Sequence, residues 1–194
     1  MLNFCSLSSG STGNSLFIKN DDTKILIDCG VSQKKIIDGL LSIDVSIEDI
    51  DAIIVTHEHS DHVQSLGSLS RKYDIPVYAN NATWNSMKTQ SDKINDKNKK
   101  IFHTKENFEI GSLKISPFSI PHDAADPCGF NIFSNDTKIS IATDLGHITS
   151  NIMDKLENSK FLLLESNYDQ DVLKYSKYPC HLKTRISGPN RSFS

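Results

Sequence analysis

The chain has 194 residues, 37% hydrophobic and 23% charged, with 21 basic against 24 acidic side chains. That length suits a single domain spanning 1–194, with a core large enough to fold without disulfide or metal staples, and the net charge of −3 excludes a globally cationic nucleic-acid binder. No apolar run approaches the roughly 20 residues of a membrane span, and the opening Met1-Leu2-Asn3-Phe4-Cys5 lacks a secretory n-region, so a soluble cytoplasmic protein is expected.

Taken in chain order, the elements read as α/β. Leu2–Leu7 predicts a strand, followed by a turn-rich stretch over Ser8–Ser15 whose glycines and small hydroxyls fit either a plain turn or a loop that lets backbone N–H groups approach phosphate. Leu16–Lys19 and Lys24–Asp28 flank a hairpin turn at Asn20-Asp21-Asp22. Ser32 can cap a helix in which Ile36, Ile37, Leu40 and Leu41 recur at helical spacing. Ser46–Asp49 predicts a short helical turn, and Ala52–Val55 is a uniformly apolar strand of the kind covered on both faces. Val63, Leu66 and Leu69 predict one helix over His62–Lys72. Pro76–Ala79 follows as a strand and Thr83–Lys88 as a helix, and the Lys-rich Ser91–Lys100 reads as a solvated loop or a patch facing nucleic acid. Further strands are expected at Asn107–Ile110, Leu113–Ser119, Phe130–Phe133 and Lys138–Ala142, a helix at Ile148–Leu156, a buried strand at Phe161–Glu165 and a short helix at Asp169–Tyr175. Cys5, Cys29, Cys128 and Cys180 are scattered without a C-x-x-C pair and read as four reduced thiols.

The chemistry concentrates in Thr56-His57-Glu58-His59-Ser60-Asp61-His62, between an apolar strand and an amphipathic helix. This is the sheet edge where open α/β folds place ligands. Residues two apart in an extended turn point the same way, so His57 and His59 can face one ion, while Asp61 and His62 open the helix toward a neighbouring position. Imidazole with carboxylate suits Zn2+, Mn2+ or Fe2+ better than Mg2+ or Ca2+. His122 and Asp144 each sit just past a strand; alone either reads as a cap, and beside the cluster both become ligand candidates. Asp28, at another strand end, fits equally a partner for a ligand histidine or a strand-end cap. His103, His147 and His181 carry no assignment.

H-x-H-x-D-H, then a downstream His, then Asp in Ala142-Thr143-Asp144-Leu145-Gly146 resembles the metallo-β-lactamase fold superfamily. Ser8–Ser15, Leu26–Gly30, Arg71–Ala79, His122-Asp123-Ala124 with Pro127–Phe130, Glu165–Asp169, Tyr178-Pro179 and Leu182–Ile186 extend the resemblance to the YycJ/WalJ-like branch, over nearly the whole chain. The resemblance implies a four-layer αββα sandwich and metal-dependent phosphodiester hydrolysis, exonucleolytic on DNA. It places His57, His59 and His122 on a first divalent ion, and Asp61 and His62 on a second, with Asp144 bridging both. It further implies attack by a hydroxide held between the ions, which Asp61 orients.

In that family a last histidine ligand follows a G-H-(L/V)-S-N stretch after the position of Arg185-Ile186, whereas this chain runs Ser187–Ser194 and ends. A C-terminally truncated sandwich, with the second ion one ligand short, is therefore expected. Two alternatives stay open: a thioester, lactone or lactam hydrolase on the same fold, and a non-catalytic metal-binding fragment.

Overall fold

A computed structural model of the chain describes residues 1–165. The strands β1 (Asn3–Ser8), β2 (Ser15–Lys19) and β3 (Lys24–Ile27) pair antiparallel. Asn20 makes the β2–β3 turn because its Oδ1 accepts the N–H groups of Asp22 and Thr23 at 3.0 and 2.8 Å. The helix α1 (Gln33–Leu41) starts where Ser32 Oγ accepts the Lys35 N–H, and a 3-10 turn at Ile47–Asp49 leads into β4 (Ala52–Ile54). Next come α2 (Ser60–Val63), α3 (Leu66–Tyr73), β5 (Val77–Ala79), α4 (Asn81–Ser86), α5 (Lys88–Ser91) and β6 (Lys99–Ile101). The six strands form one sheet in sequence order, parallel from β3 onward.

The second sheet begins as a meander of β7 (Phe108–Ile110), β8 (Leu113–Ser119), β9 (Cys128–Ser134) and β10 (Thr137–Ala142). Two-residue loops set the β7–β8 and β9–β10 registers: Gly111 and Asn135 take left-handed backbone at φ 54° and 51°, as tight hairpins require. The helix α6 (Ser150–Leu156) then carries the chain to β11 (Phe161–Leu164), which pairs parallel to β10.

Side-chain alternation sorts these elements into layers. Phe17, Leu26 and Ile53 face one way and pack against Ile36 and Leu40 of α1 and Leu66 and Leu69 of α3. Their neighbours Ile18, Ile25 and Ile54 face the other way and meet Ile115, Phe130 and Ile141 of the second sheet. On the far side, Phe118 and Ala142 pack against Ile152 of α6. The architecture is helix, sheet, sheet, helix, so the expected αββα sandwich is present.

Three expectations change. The helix expected over His62–Lys72 is broken between α2 and α3, because the Ser65 N–H donates to the Cys29 carbonyl at 3.0 Å, outside the helical ladder, and its hydroxyl bonds the carbonyls of Cys29 and Val31 at 3.2 and 2.7 Å. The end of Ser91–Lys100 is not a loop: Asp96–Asn98 forms a 3-10 turn and Lys99 begins β6, with Lys97 paired to Asp74 and Lys99 to Asp96. The strand at Phe161 is not buried: among the described residues it is the last of its sheet, with Phe161 and Leu162 44% and 47% exposed. The helix expected at Asp169–Tyr175, together with Cys180, His181 and the terminal stretch after Arg185, lies outside the described residues.

Candidate metal centre

Five strands deliver their carboxyl ends to one edge of the sandwich. The ends of β3 and β4 supply Asp28 and the Thr56–His62 turn; those of β8, β10 and β11 lead to His122, Asp144 and Glu165. All six residues expected as ligands meet there. The ring centroids of His57 lie 4.6 Å from those of His59 and His122 and 4.1 Å from that of His62. His122 Nε2 approaches His59 Nδ1 at 3.2 Å. Asp144 Oδ2 lies 2.7 Å from His62 Nε2 and 3.8 Å from His57 Nε2, and Asp61 Oδ2 lies 3.7 Å from His62 Nε2. Two donor groups, each with its ligand atoms within 4.8 Å of one another, emerge: His57 with His59 and His122, and His57 with His62 and Asp144. Asp61 belongs to neither group of three and stands beside the second, 3.7 Å from His62 Nε2.

The residues beneath hold the imidazoles in place. Asp28, 1% exposed, accepts from the Thr56 N–H at 2.9 Å, the Thr56 hydroxyl at 2.7 Å and His62 Nδ1 at 2.8 Å. It is thus both strand-end cap and histidine partner, the two roles sequence left as alternatives. With its proton committed to Asp28, the Thr56 hydroxyl accepts from His57 Nδ1 at 3.0 Å. Both rings are thereby turned with Nε2 toward the centre, the arrangement by which outer partners orient metal-binding histidines. Asp28 and Asp144 themselves adopt left-handed backbone, φ 61° and 54°, a conformation uncommon outside glycine and tolerated best by Asp and Asn.

The donor set fits a divalent cation. Among the described residues, His57 Nε2 is buried with no hydrogen-bond partner, a cost that a bound ion removes. Burial, and after it the repulsion of charge by the neighbouring imidazoles of His62, His122 and His59, holds His57 well below the ordinary histidine value. Burial likewise takes His122 down to about 4, against the pull of Asp144. Both therefore stay neutral and ligand-competent. His62 behaves oppositely: burial lowers it, but Asp28 on one side and Asp144 on the other raise it to about 10.

A pH dependence follows. Because the His62 value is raised, its protonation stabilises the metal-free fold fully below about pH 6.5 and that contribution is lost as pH rises through about 10. A cation at His62 Nε2 must displace that proton. Its affinity should therefore rise about tenfold per pH unit up to about 10, while His57 and His122, held low, add no such slope at the other donor group. Metal titrations at pH 6.5, 7.5 and 8.5 check this; two equally flat sites would contradict it.

Sequence reasoning missed three contributors. Thr56 carries no signal of its own. Asn14 places Nδ2 3.1 Å from His62 Nε2, and Glu165 Oε2 accepts the Asp144 N–H at 3.4 Å. The glycines of Ser8–Ser15 and Cys29-Gly30 offered the available hint: the Asn14 N–H donates to the Asp61 carbonyl and the Gly30 N–H to the Asn14 carbonyl, so the small residues let this loop seat directly on the α2 entry. His103 and His147 are exposed and belong to neither donor group.

Residues 23–185 match the Beta-lactamase superfamily domain. The exodeoxyribonuclease YycJ of Bacillus anthracis is 38% identical over 185 residues, covering 95% of this chain and 70% of its own length. The exodeoxyribonuclease WalJ of Streptococcus pneumoniae serotype 2 is 37% identical over 182 residues, covering 93% and 68%. Among solved structures, Zn2+-bound PqqB from Methylobacterium extorquens superposes with a TM-score of 0.69 at 18% identity, over 84% of this chain and 64% of that one. The chain thus spans about two thirds of each of these relatives. The fold, the His/Asp cluster at its strand ends and these similarities agree: the chain belongs to the beta-lactamase superfamily, the metallo-β-lactamase fold of metal-dependent hydrolases.

Proposed function

We propose that the chain is a dinuclear metal-dependent phosphodiesterase that removes nucleotides from DNA ends. The observation that carries this reading is the position of Asp144, whose Oδ2 faces His62 Nε2 and His57 Nε2 at once. A carboxylate so placed suits a bridge between one ion on His57, His59 and His122 and a second on Asp61 and His62. Zn2+ or Mn2+ matches the imidazole-carboxylate set, as does Fe2+. A bound pair of such ions supplies a water of lowered pKa and neutralises charge at phosphorus.

The protein's own groups do the remaining work. Asp28 and Thr56 fix the tautomers of His62 and His57, so that Nε2 of each is the ligand atom. Asp61, beside His62 Nε2, takes the proton of the attacking water. DNA as substrate rests on the names of the YycJ and WalJ relatives. With a net charge of −3, the phosphate backbone must be met locally by the centre. A cytoplasmic setting accords with the free thiols at Cys5, Cys29 and Cys128.

The test is hydrolysis of linear DNA by the metal-loaded protein, with ions per chain measured in parallel. Asp61→Ala should lower the rate at least about a hundredfold, within the range of a lost general base. A variant as fast as its parent overturns the mechanism. Turnover of nitrocefin or a thioester with DNA untouched overturns the substrate.

A further inference from the structure

The side chain of Asn14 is 5% exposed and faces the metal centre from the side opposite Asp28. Its orientation is determined by the loop. The Gly10 N–H donates to Asn14 Oδ1 at 3.0 Å, and a backbone N–H has no use for an amide nitrogen. The carboxamide therefore turns Nδ2 inward, to 3.1 Å from His62 Nε2.

A loaded centre takes that partner away. His62 Nδ1 lies 2.8 Å from the Asp28 carboxylate and carries a proton toward it, which leaves Nε2 as the nitrogen that faces the centre. A cation held at Nε2 uses its lone pair, and His62 then offers the Asn14 amide no acceptor. The loop is also stiffly seated: the Asn14 backbone bonds the Asp61 carbonyl and the Gly30 N–H, and the Ser8 hydroxyl bonds the Gly13 carbonyl while receiving Lys35 Nζ. The inward donor is thus held in place before any substrate arrives, the condition under which a hydrogen bond contributes most to binding a developing anion.

We infer that the Asn14 carboxamide is a substrate-contacting group, its Nδ2–H binding a non-bridging oxygen of the phosphate presented to the centre. The inference rests on the phosphodiesterase reading above. It makes Asn14 a catalytic residue contributed by the loop before β2, separate from the metal ligands.

Asn14→Asp separates this role from a structural one. An aspartate keeps an oxygen for the Gly10 N–H and nearly the same shape, but replaces the inward donor by an anionic oxygen beside His62 Nε2. Metal content should equal or exceed the wild type, because a further carboxylate faces the cations. The affinity of the Mn2+-loaded protein for inorganic phosphate, read by calorimetry, should fall at least about tenfold, and kcat/KM on linear DNA with it. Asn14→Ala should lose phosphate affinity without gaining metal.

Loss of phosphate binding in Asn14→Asp with metal binding kept or raised is the signature that a merely structural residue does not give. Phosphate affinity within twofold of wild type at full metal content overturns the assignment. So does a loss of phosphate affinity that simply tracks a loss of metal in both variants. A wild type that holds its metals yet neither binds phosphate nor cleaves DNA overturns the phosphodiesterase reading and Asn14 together. A wild type that does both while the variants match it removes Asn14 alone.

Discussion

Gly30→Ala should cost about 4 kcal/mol or more of stability and abolish stoichiometric metal binding, the size of effect reserved for backbone collisions and buried unsatisfied groups. A Cβ at position 30 would stand 1.4 Å from the Asp61 carbonyl oxygen and 2.7 Å from the Asn14 nitrogen. Both obstacles are backbone, so no rotamer change relieves them. The entry to α2 must therefore shift, taking Asp61 and His62 with it, and the Asn14 N–H that bonds the Asp61 carbonyl must move as well. Urea denaturation and metal analysis read the two consequences. Gly10→Ala is the control: nothing lies within 4 Å of its added Cβ, and its φ of 120° adds only local backbone strain, about 1 kcal/mol. Equal stability of Gly30→Ala and wild type would contradict the packing of loop on helix described above.

Asp28→Ala should destabilise by about 3–5 kcal/mol, because it removes the carboxylate from a buried charged network. The Thr56 N–H, the Thr56 hydroxyl and His62 Nδ1 all lose their acceptor. Metal binding should suffer beyond what the stability loss explains. Without Asp28, His62 is free to take the other tautomer, and loss of such an orienting partner weakens affinity by roughly 10–100-fold. Asp28→Asn isolates this second effect. The amide keeps the volume but must turn its NH2 toward at least one donor, so the fold should survive while the cation on His62 weakens. Unchanged cation affinity in Asp28→Asn would show that His62 is oriented by something else.

Much of this was readable from the residues. The His57–His62 cluster announces itself because ligand spacing is local: two histidines two apart on an extended turn, then Asp and His on the first turn of α2. The hairpins were marked by Asn20, Gly111 and Asn135, whose side chains or missing Cβ permit those turns. What sequence hid was contact between distant segments. The stripe of Val63, Leu66 and Leu69 is continuous, yet the helix breaks at Ser65 because the carbonyls of Cys29 and Val31 compete for it. The apolar Phe161-Leu162-Leu163-Leu164 suggested burial, but its place as the last strand of the second sheet among the described residues follows from topology, which no local run of residues reveals. Asn14 and Thr56 are unremarkable polar residues until the sandwich brings them under the histidines.

The left-handed corners at Asp28 and Asp144 narrow what evolution or a designer can place there. Chemistry at each position asks for a carboxylate, which admits Asp and Glu. The backbone, at φ 61° and 54°, asks for Gly, Asn or Asp. The two sets share one member. A histidine ligand can be traded for another donor of similar reach, but at these two corners a substitution satisfies either the chain direction or the charge, never both. In a library of variants selected for retained metal binding, positions 28 and 144 should therefore stay aspartate longer than the more conspicuous histidines they serve.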